Sequence, residues 1–239
     1  GFFVKYLGIK NIAMITGLGT GFIRGGWLTL LVKRLYRFAL AKVSYVFFQN
    51  PSDQQLFWDH NLVDSFKCKL TPGSGIDLQK YVFSKKRNDS NTFIFLLVAR
   101  LVWDKGIKEY LEAARQLHEE FSEVQFHIIG PSGVQNRTAI PSSEIENWKL
   151  EGLINYLGEV EDVQGEIAEA TCIVLPSYRE GTSRVLLEAS AIGRPIVATD
   201  VPGCKEVVLD EKSGFLCKVK NSHDLYLKMK KMYLLDQGK

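Results

Sequence analysis

The feature that most restricts this chain is a regular alternation of two periodicities. Short apolar runs that read as strands fall at residues 12–15, 43–48, 66–70, 93–99, 125–129, 154–157, 172–175 and 195–198. Between and after them lie segments with the apolar spacing of helices, at 26–41, 52–60, 106–120, 142–151, 163–170, 183–191 and 222–235. Several strand runs are apolar without a break, as in Ile94-Phe95-Leu96-Leu97-Val98. A strand with no polar side is covered on both faces. Such strands alternating with helices build parallel, doubly wound α/β sheets.

The series is interrupted once. Thr71-Pro72-Gly73-Ser74-Gly75 has turn chemistry, and residues 84–91 form a polar loop. A fresh β/α series begins at Thr92. The part before the break has too few strands for a complete sheet. The expected organisation is therefore the last third to half of one α/β domain (1–75), followed by a nearly complete second one (76–239). The length of 239 residues fits this, being long for one domain and short for two. The chain opens on Gly1, in sequence that reads as the middle of a domain, so a fragment is expected.

Composition narrows the classes. With 46% hydrophobic residues the chain is not disordered, collagenous or a disulfide scaffold. No run approaches the roughly 18–20 apolar residues of a membrane span; the stretch 27–41 is broken by Lys33, Arg34 and Arg37. The four cysteines, Cys68, Cys172, Cys204 and Cys217, form no Cys-x-x-Cys pair and read as buried, reduced thiols. No secretory signal pattern is visible, and a cytoplasmic setting is expected.

The net charge of +3 hides an asymmetry. Residues 1–71 carry nine Lys/Arg against three Asp/Glu, whereas residues 72–239 carry 21 against 24. A basic first part suits an anionic neighbour such as a membrane surface, a phosphate or a nucleic acid. No aromatic-basic platform is evident, which argues against nucleic acid.

Chemistry concentrates where strands hand over to helices. The run Ile173-Val174-Leu175 ends at Pro176-Ser177 and leads through Tyr178, Arg179, Glu180, Gly181, Thr182 and Ser183 into a helix that carries Glu188. Such a loop is where α/β proteins bind ligands. The first-turn amides of the helix suit phosphate. Gly181 would let a ligand approach the backbone, with Ser183 or Thr182 as the N-cap. Glu180 and Glu188 suit sugar hydroxyls; alternatively each is simply a solvated charge. A second handover, Val98-Ala99-Arg100-Leu101-Val102-Trp103-Asp104-Lys105-Gly106, offers Arg100 and Lys105 to a diphosphate. The alternative there is a surface pair of Lys105 with Asp104 or Glu109.

Together these segments resemble the retaining glycosyltransferases of family 4, also called group 1, which have the two-domain GT-B fold. The matching residues are Ala99-Arg100-Leu101 with Lys105-Gly106-Ile107, Gly73-Ser74-Gly75-Ile76-Asp77, Tyr156-Leu157-Gly158, the pair Glu180-x7-Glu188, and Gly193-Arg194-Pro195-Ile196-Val197-Ala198-Thr199-Asp200. The resemblance runs from about Ile12 to Leu235. It implies two Rossmann-like doubly wound parallel sheets, the first incomplete here and on the acceptor side, the second binding a nucleotide sugar. It implies that Arg100 and Lys105 hold the donor diphosphate and that Glu188 accepts the ribose hydroxyls. Glu180, with the amides of Gly181, Thr182 and Ser183, would contact the donor sugar, and the base would lie near Gly158, Glu159 and Val160. Such enzymes need no metal, and no cofactor is expected. Their route is front-face attack, in which the leaving diphosphate helps to deprotonate the acceptor while positive charge stabilises it.

The sequence departs from the commonest pattern in two places. Glu180-Gly181-Thr182-Ser183-Arg184 stands where many members have Glu-Gly-Phe-Gly, and Thr16-Gly17-Leu18-Gly19 stands where many have a His. Both departures are similar to a subgroup acting on polyprenyl-diphosphate-linked intermediates of bacterial glycans. None of His60, His118, His127 and His223 is a candidate catalyst; His127 reads as structural and the others as surface residues. Gly17-x-Gly19-x-Gly21 lacks the third glycine and the acidic residue of a dinucleotide fingerprint. Gly17 and Gly19 instead form a tight loop facing the interdomain cleft and its substrate.

The resulting expectation is transfer of an N-acetylhexosamine from a UDP-sugar to a polyprenyl-diphosphate-linked acceptor, on the inner face of the cell membrane. Two alternatives stay open: a UDP-sugar epimerase of the same architecture, and a non-catalytic nucleotide-binding fragment. Leu28, Leu31, Val32, Leu35, Phe38 and Ala39 share a helix with Lys33, Arg34 and Arg37, flanked by Arg24 and Lys42. That helix either touches anionic lipid and the acceptor diphosphate or faces a core.

Overall fold

The structure, a computed structural model, describes residues 9–18, 26–85 and 92–238. The chain divides into two compact units. The first runs to Gly75 and includes Glu180–Thr182; the second comprises Ile76–Arg179 and Ser183–Lys239.

The first unit is a parallel sheet of three strands in sequence order. Its elements are β1 (Ile12–Ile15), α1 (Trp27–Leu40), β2 (Tyr45–Phe48), α2 (Pro51–Asp59) and β3 (Cys68–Leu70). Val46, Phe48, Phe57, Leu62, Leu40 and Val43 form its core. The Phe57 ring meets Phe48 and Tyr36 edge-on, with centroids 4.9 and 5.2 Å apart. Helix α2 starts with Pro51 at its first turn, and the Asn50 side chain accepts the Asp53 amide at 2.8 Å. Proline supplies the preset φ and the asparagine satisfies an orphan donor. Strand β3 is shorter than its apolar run suggests. Residues 65–67 wind into a 3-10 turn closed by Lys67 N–H on the Asp64 carbonyl, which takes Phe66 out of the ladder.

Helix α1 turns its apolar arc away from this core. Thr29 and Leu40 are its buried residues, whereas Trp27, Leu28, Leu31, Leu35 and Phe38 are exposed. The core-facing alternative therefore does not hold among the described residues. Arg37 also differs from expectation. Its guanidinium donates to the Asn61 and His60 carbonyls, both at 3.0 Å, and so caps the end of α2.

The second unit contains β4 (Ile94–Val98), α3 (Ile107–Glu120), β5 (Gln125–Ile129), α4 (Ser142–Glu151), β6 (Ile154–Gly158), α5 (Val163–Glu169), β7 (Cys172–Leu175), α6 (Arg184–Ile192), β8 (Ile196–Thr199), β9 (Gly214–Cys217) and α7 (Ser222–Asp236). Its six strands are parallel, in the order β6-β5-β4-β7-β8-β9. The alternation of side chains along each strand feeds two cores. Phe95 and Leu97 pack with Tyr110, Leu117, Trp148 and Met229 of α3, α4 and α7. Leu96, Ile173 and Leu175 pack with Ile167, Leu186 and Ala189 of α5 and α6. Covering on both faces is why these strands carry no polar side.

Strand β9 has no counterpart among the predicted strands. Its four residues sit between Ser213 and Lys218 and are too short a run to stand out, yet they pair with the whole of β8. All four cysteines are buried, and none of them forms a disulfide. Among the described residues, no helix is long and apolar enough to cross a membrane.

Candidate functional site

In an open parallel sheet, ligands bind beyond the carboxyl ends of the strands, where the winding direction reverses. In the second unit that point lies between β4 and β7. The chain winds outward from β4 through β5 to β6, then restarts on the other side of β4 at β7. The two handovers singled out in the sequence leave these two strands.

Beyond β4, Arg100 is exposed and Lys105 is half-buried. Lys105 ends a 3-10 turn, Trp103–Lys105. Thr138 anchors this turn: its carbonyl accepts the Trp103 amide at 2.8 Å and its hydroxyl donates to the Asp104 carboxylate at 3.1 Å. Gly106 follows with φ 73° and starts α3. A β-carbon on Gly106 would overlap the Pro176 carbonyl, so only glycine lets the turn seat against the exit of β7.

Beyond β7, Ser177 is fully buried and its carbonyl accepts the Thr199 hydroxyl at 2.5 Å. The Tyr178 amide donates to the Asp104 carbonyl at 2.9 Å. The Tyr178 hydroxyl donates to Glu109 in α3, 2.9 and 3.0 Å from its two carboxylate oxygens. Burial and that carboxylate push the phenol well above its ordinary range. The two acids named as alternative partners of Lys105, Asp104 and Glu109, thus take hydroxyls from Thr138 and Tyr178.

Ser183 occupies the N-cap of α6, but neither candidate side chain caps the helix. The Thr182 hydroxyl donates to the Gln49 carbonyl at 3.3 Å, and the Ser183 amide donates to the Gly203 carbonyl at 3.1 Å. The Ser183 amide thus has a partner within the protein. Glu188 is 7% exposed, which overturns its reading as a solvated charge. Arg184, one turn earlier, brings Nη2 to 3.5 Å from Glu188 Oε1. Burial first, and then the nearby Glu188 carboxylate, raise the pKa of the Tyr81 phenol. Tyr81 is presented by a turn in which its amide donates to the Asp77 carbonyl at 2.9 Å.

At the carboxyl end of β6, Gly158 has φ 75°, and its carbonyl accepts the Gly130 amide at 2.8 Å. Val160 is half-buried against the α5/α6 core. Both lie on the same edge of the sheet as Arg100 and Lys105, two strands away.

Glu180, Gly181 and Thr182 belong to the first unit, where Glu180 is half-buried. Asn50, fully buried, donates through Nδ2 to the Gly181 carbonyl at 3.1 Å. A β-carbon on Gly181 would overlap the Thr16 carbonyl. This glycine is thus required by the protein's own backbone, a different reason from the ligand approach expected of it. Gly17 follows β1, and a β-carbon there would lie 3.5 Å from the Gly181 amide, ordinary contact. A β-carbon on Gly73 would press on the Thr182 side chain at 2.8 Å. Gly19, Gly21 and Arg24 lie outside the described residues.

None of the four histidines lies on the segments leaving β4 or β7. His127 is half-buried in β5, with Nε2 3.2 Å from Gln125 Oε1, and burial lowers its pKa. Sequence reasoning missed Tyr81 and Asn50, and named Glu109 only as a partner for Lys105 and Tyr178 only as part of its loop. Asn50 had a local signal, an N-cap type followed directly by proline.

Residues 79–237, more than half of the chain, match the model of the family described as Glycosyl transferases group 1. The chain belongs to this family.

Two curated relatives and two solved structures are similar to it. A curated N,N'-diacetylbacillosaminyl-diphospho-undecaprenol alpha-1,3-N-acetylgalactosaminyltransferase of Campylobacter jejuni is 30% identical over 230 residues, covering 90% of this chain and 59% of that enzyme. The UDP-Gal:alpha-D-GlcNAc-diphosphoundecaprenol alpha-1,3-galactosyltransferase of Escherichia coli is 26% identical over 201 residues, covering 80% of this chain and 51% of that one. The chain thus spans roughly half to three fifths of these relatives. Anabaena HepE, solved in complex with UDP, superposes with a TM-score of 0.81 at 20% identity, covering 98% of this chain and 65% of that one. Sucrose-phosphate synthase from Thermosynechococcus elongatus gives 0.78 at 21% identity, over 95% and 59%. These structures establish the fold, GT-B.

Proposed function

We propose that this group 1 chain belongs to a retaining glycosyltransferase that moves an N-acetylhexosamine from a UDP-sugar to a polyprenyl-diphosphate-linked glycan. The observation that carries the reading is the reversal between β4 and β7, which brings out Arg100, Lys105 and the start of α6 on one edge of the sheet. Two side-chain cations and a helix N-terminus suit a diphosphate, and they would stabilise its charge as it leaves. Glu188, at the second turn of α6, has carboxylate lone pairs for the ribose hydroxyls beyond the one facing Arg184. Gly158 and Val160 would flank the base. The first unit, residues 1–75, is assigned to the acceptor side, with Glu180 and the amides of Gly181 and Thr182 contacting the sugar. The acceptor class is supported by the named substrates of the two relatives, and UDP by its complex with HepE.

Membrane contact extends the reading. Trp27, Leu31, Leu35 and Phe38 form an exposed apolar arc on α1, with exposed Arg34 at its rim. An apolar arc edged with basic charge fits an anionic lipid surface, and a lipid-linked acceptor is found at one. The inner face of the cell membrane is the assigned setting.

The test is incubation of the protein with UDP-N-acetylhexosamines and a polyprenyl-diphosphate-linked glycan, read by mass spectrometry and by the anomeric proton coupling of the product. A new α-linked glycoside supports the reading. A 2-epimer of the donor without transfer would decide for the epimerase.

A further inference from the structure

We propose that Tyr178 is a positioning residue for donor diphosphate binding, clamping the Arg100–Lys105 turn to the loop that leaves β7. The inference rests on the donor-site reading above and goes beyond it, because neither Tyr178 nor its partner Glu109 is among the residues expected to touch the donor.

Three contacts join the two segments. The backbone of Gly106 lies against the Pro176 carbonyl with no room for a β-carbon. The Tyr178 amide donates to the Asp104 carbonyl at 2.9 Å. The Tyr178 hydroxyl bridges both oxygens of Glu109 at 2.9 and 3.0 Å. The first two are backbone contacts, which bring the strands' exits together. Only the third reaches past the turn into α3, and so fixes how the turn sits on its helix.

That third contact is also the costly one to lose. Glu109 is 8% exposed, and a buried carboxylate without its donor carries the full desolvation penalty. On the far side, Lys220 Nζ lies 4.8 Å from the centroid of the Tyr178 ring. The ring is thus held by a cation on its face and by a carboxylate at its tip. Phosphate oxygens gain most from cations that need no rearrangement on binding. Holding the turn is what the Tyr178 hydroxyl contributes.

The experiment compares UDP with UMP by calorimetry. Both share the base and the ribose and differ only in the second phosphate. In Tyr178→Phe the preference for UDP over UMP is expected to shrink about tenfold, with UMP affinity within about twofold of the parent. Glu109→Ala should behave likewise, whereas Glu109→Gln, which still accepts the hydroxyl, should keep the preference. Equal losses for UDP and UMP would mark Tyr178 as merely structural and overturn the proposal, as would an unchanged preference in both Tyr178→Phe and Glu109→Ala. Lys105→Ala separates the two levels. If it lowers UDP affinity while Tyr178→Phe does nothing, only the clamp fails; if it too is silent, the donor-site reading fails.

Discussion

Arg184 Nη2 lies 3.5 Å from Glu188 Oε1, one turn apart on α6, and the two differ sharply in exposure: the Arg184 side chain is 67% exposed and that of Glu188 is 10%. The arginine is a solvated partner of a buried carboxylate. An ion pair to so exposed a partner orients Glu188 only weakly.

Removing the carboxylate should remove ribose recognition. Glu188→Ala is expected to weaken UDP binding at least about tenfold, the scale of hydrogen bonds to a charged group. It should also abolish discrimination between UDP and its 2′-deoxy analogue. Arg184→Ala should change UDP affinity less than about twofold. Calorimetry on the three proteins decides it, and an unchanged dissociation constant for Glu188→Ala would refute the ribose assignment.

Two glycines separate backbone strain from collision. Gly106 and Gly152 have nearly the same φ, 73° and 71°, but a β-carbon on Gly152 meets nothing, whereas one on Gly106 overlaps the Pro176 carbonyl. Gly152→Ala should cost about 1 kcal/mol for the left-handed backbone alone. Gly106→Ala should cost about 1–3 kcal/mol more, the penalty of overpacking. Urea denaturation of both measures the difference, and equal midpoints would show that the approach of Gly106 to Pro176 is soft.

His127 makes stability pH-dependent. Burial holds its folded pKa below the ordinary 6.5, so the unfolded chain takes up the proton first. The contribution is complete above about pH 6.5 and is lost as the pH falls through the folded value. His127→Gln should therefore show a smaller drop in urea midpoint between about pH 7.5 and about pH 5 than the parent. Identical drops would assign the acid sensitivity elsewhere.

The outward arc of α1 predicts lipid binding. Replacing Leu35 and Phe38 together by Glu should reduce co-sedimentation with anionic vesicles severalfold at low salt. Neutral vesicles should bind the parent protein more weakly than anionic ones. Vesicle binding that survives the double substitution would remove α1 from the membrane contact.

Much of the second unit was legible in the sequence because its signals are local. Unbroken apolar runs marked β4 and β7, and their handovers to helices placed Arg100, Lys105 and Glu188 before any coordinates. Gly181 was conspicuous as a place for a ligand to approach, but the sequence did not show its contact within the protein. A glycine shows in sequence that a β-carbon is unwelcome, not what would collide with it, and at Gly181 the obstacle is the carbonyl of Thr16. Strand β9 was invisible because four residues carry no resolvable period; its pairing with β8 defines it.

The sequence by itself therefore determined the order of strands and helices and the places where ligand chemistry collects, since both depend on neighbours along the chain. Only the tertiary structure decided which side chains hold those places. Tyr178 and Glu109 are 69 residues apart, and Asn50 and Gly181 are 131 apart. The same holds for the direction of the apolar arc on α1. Periodicity fixes that a helix has two faces, but which face meets a core depends on what packs beneath it, and here Thr29 and Leu40 turn inward while Trp27 and Phe38 do not.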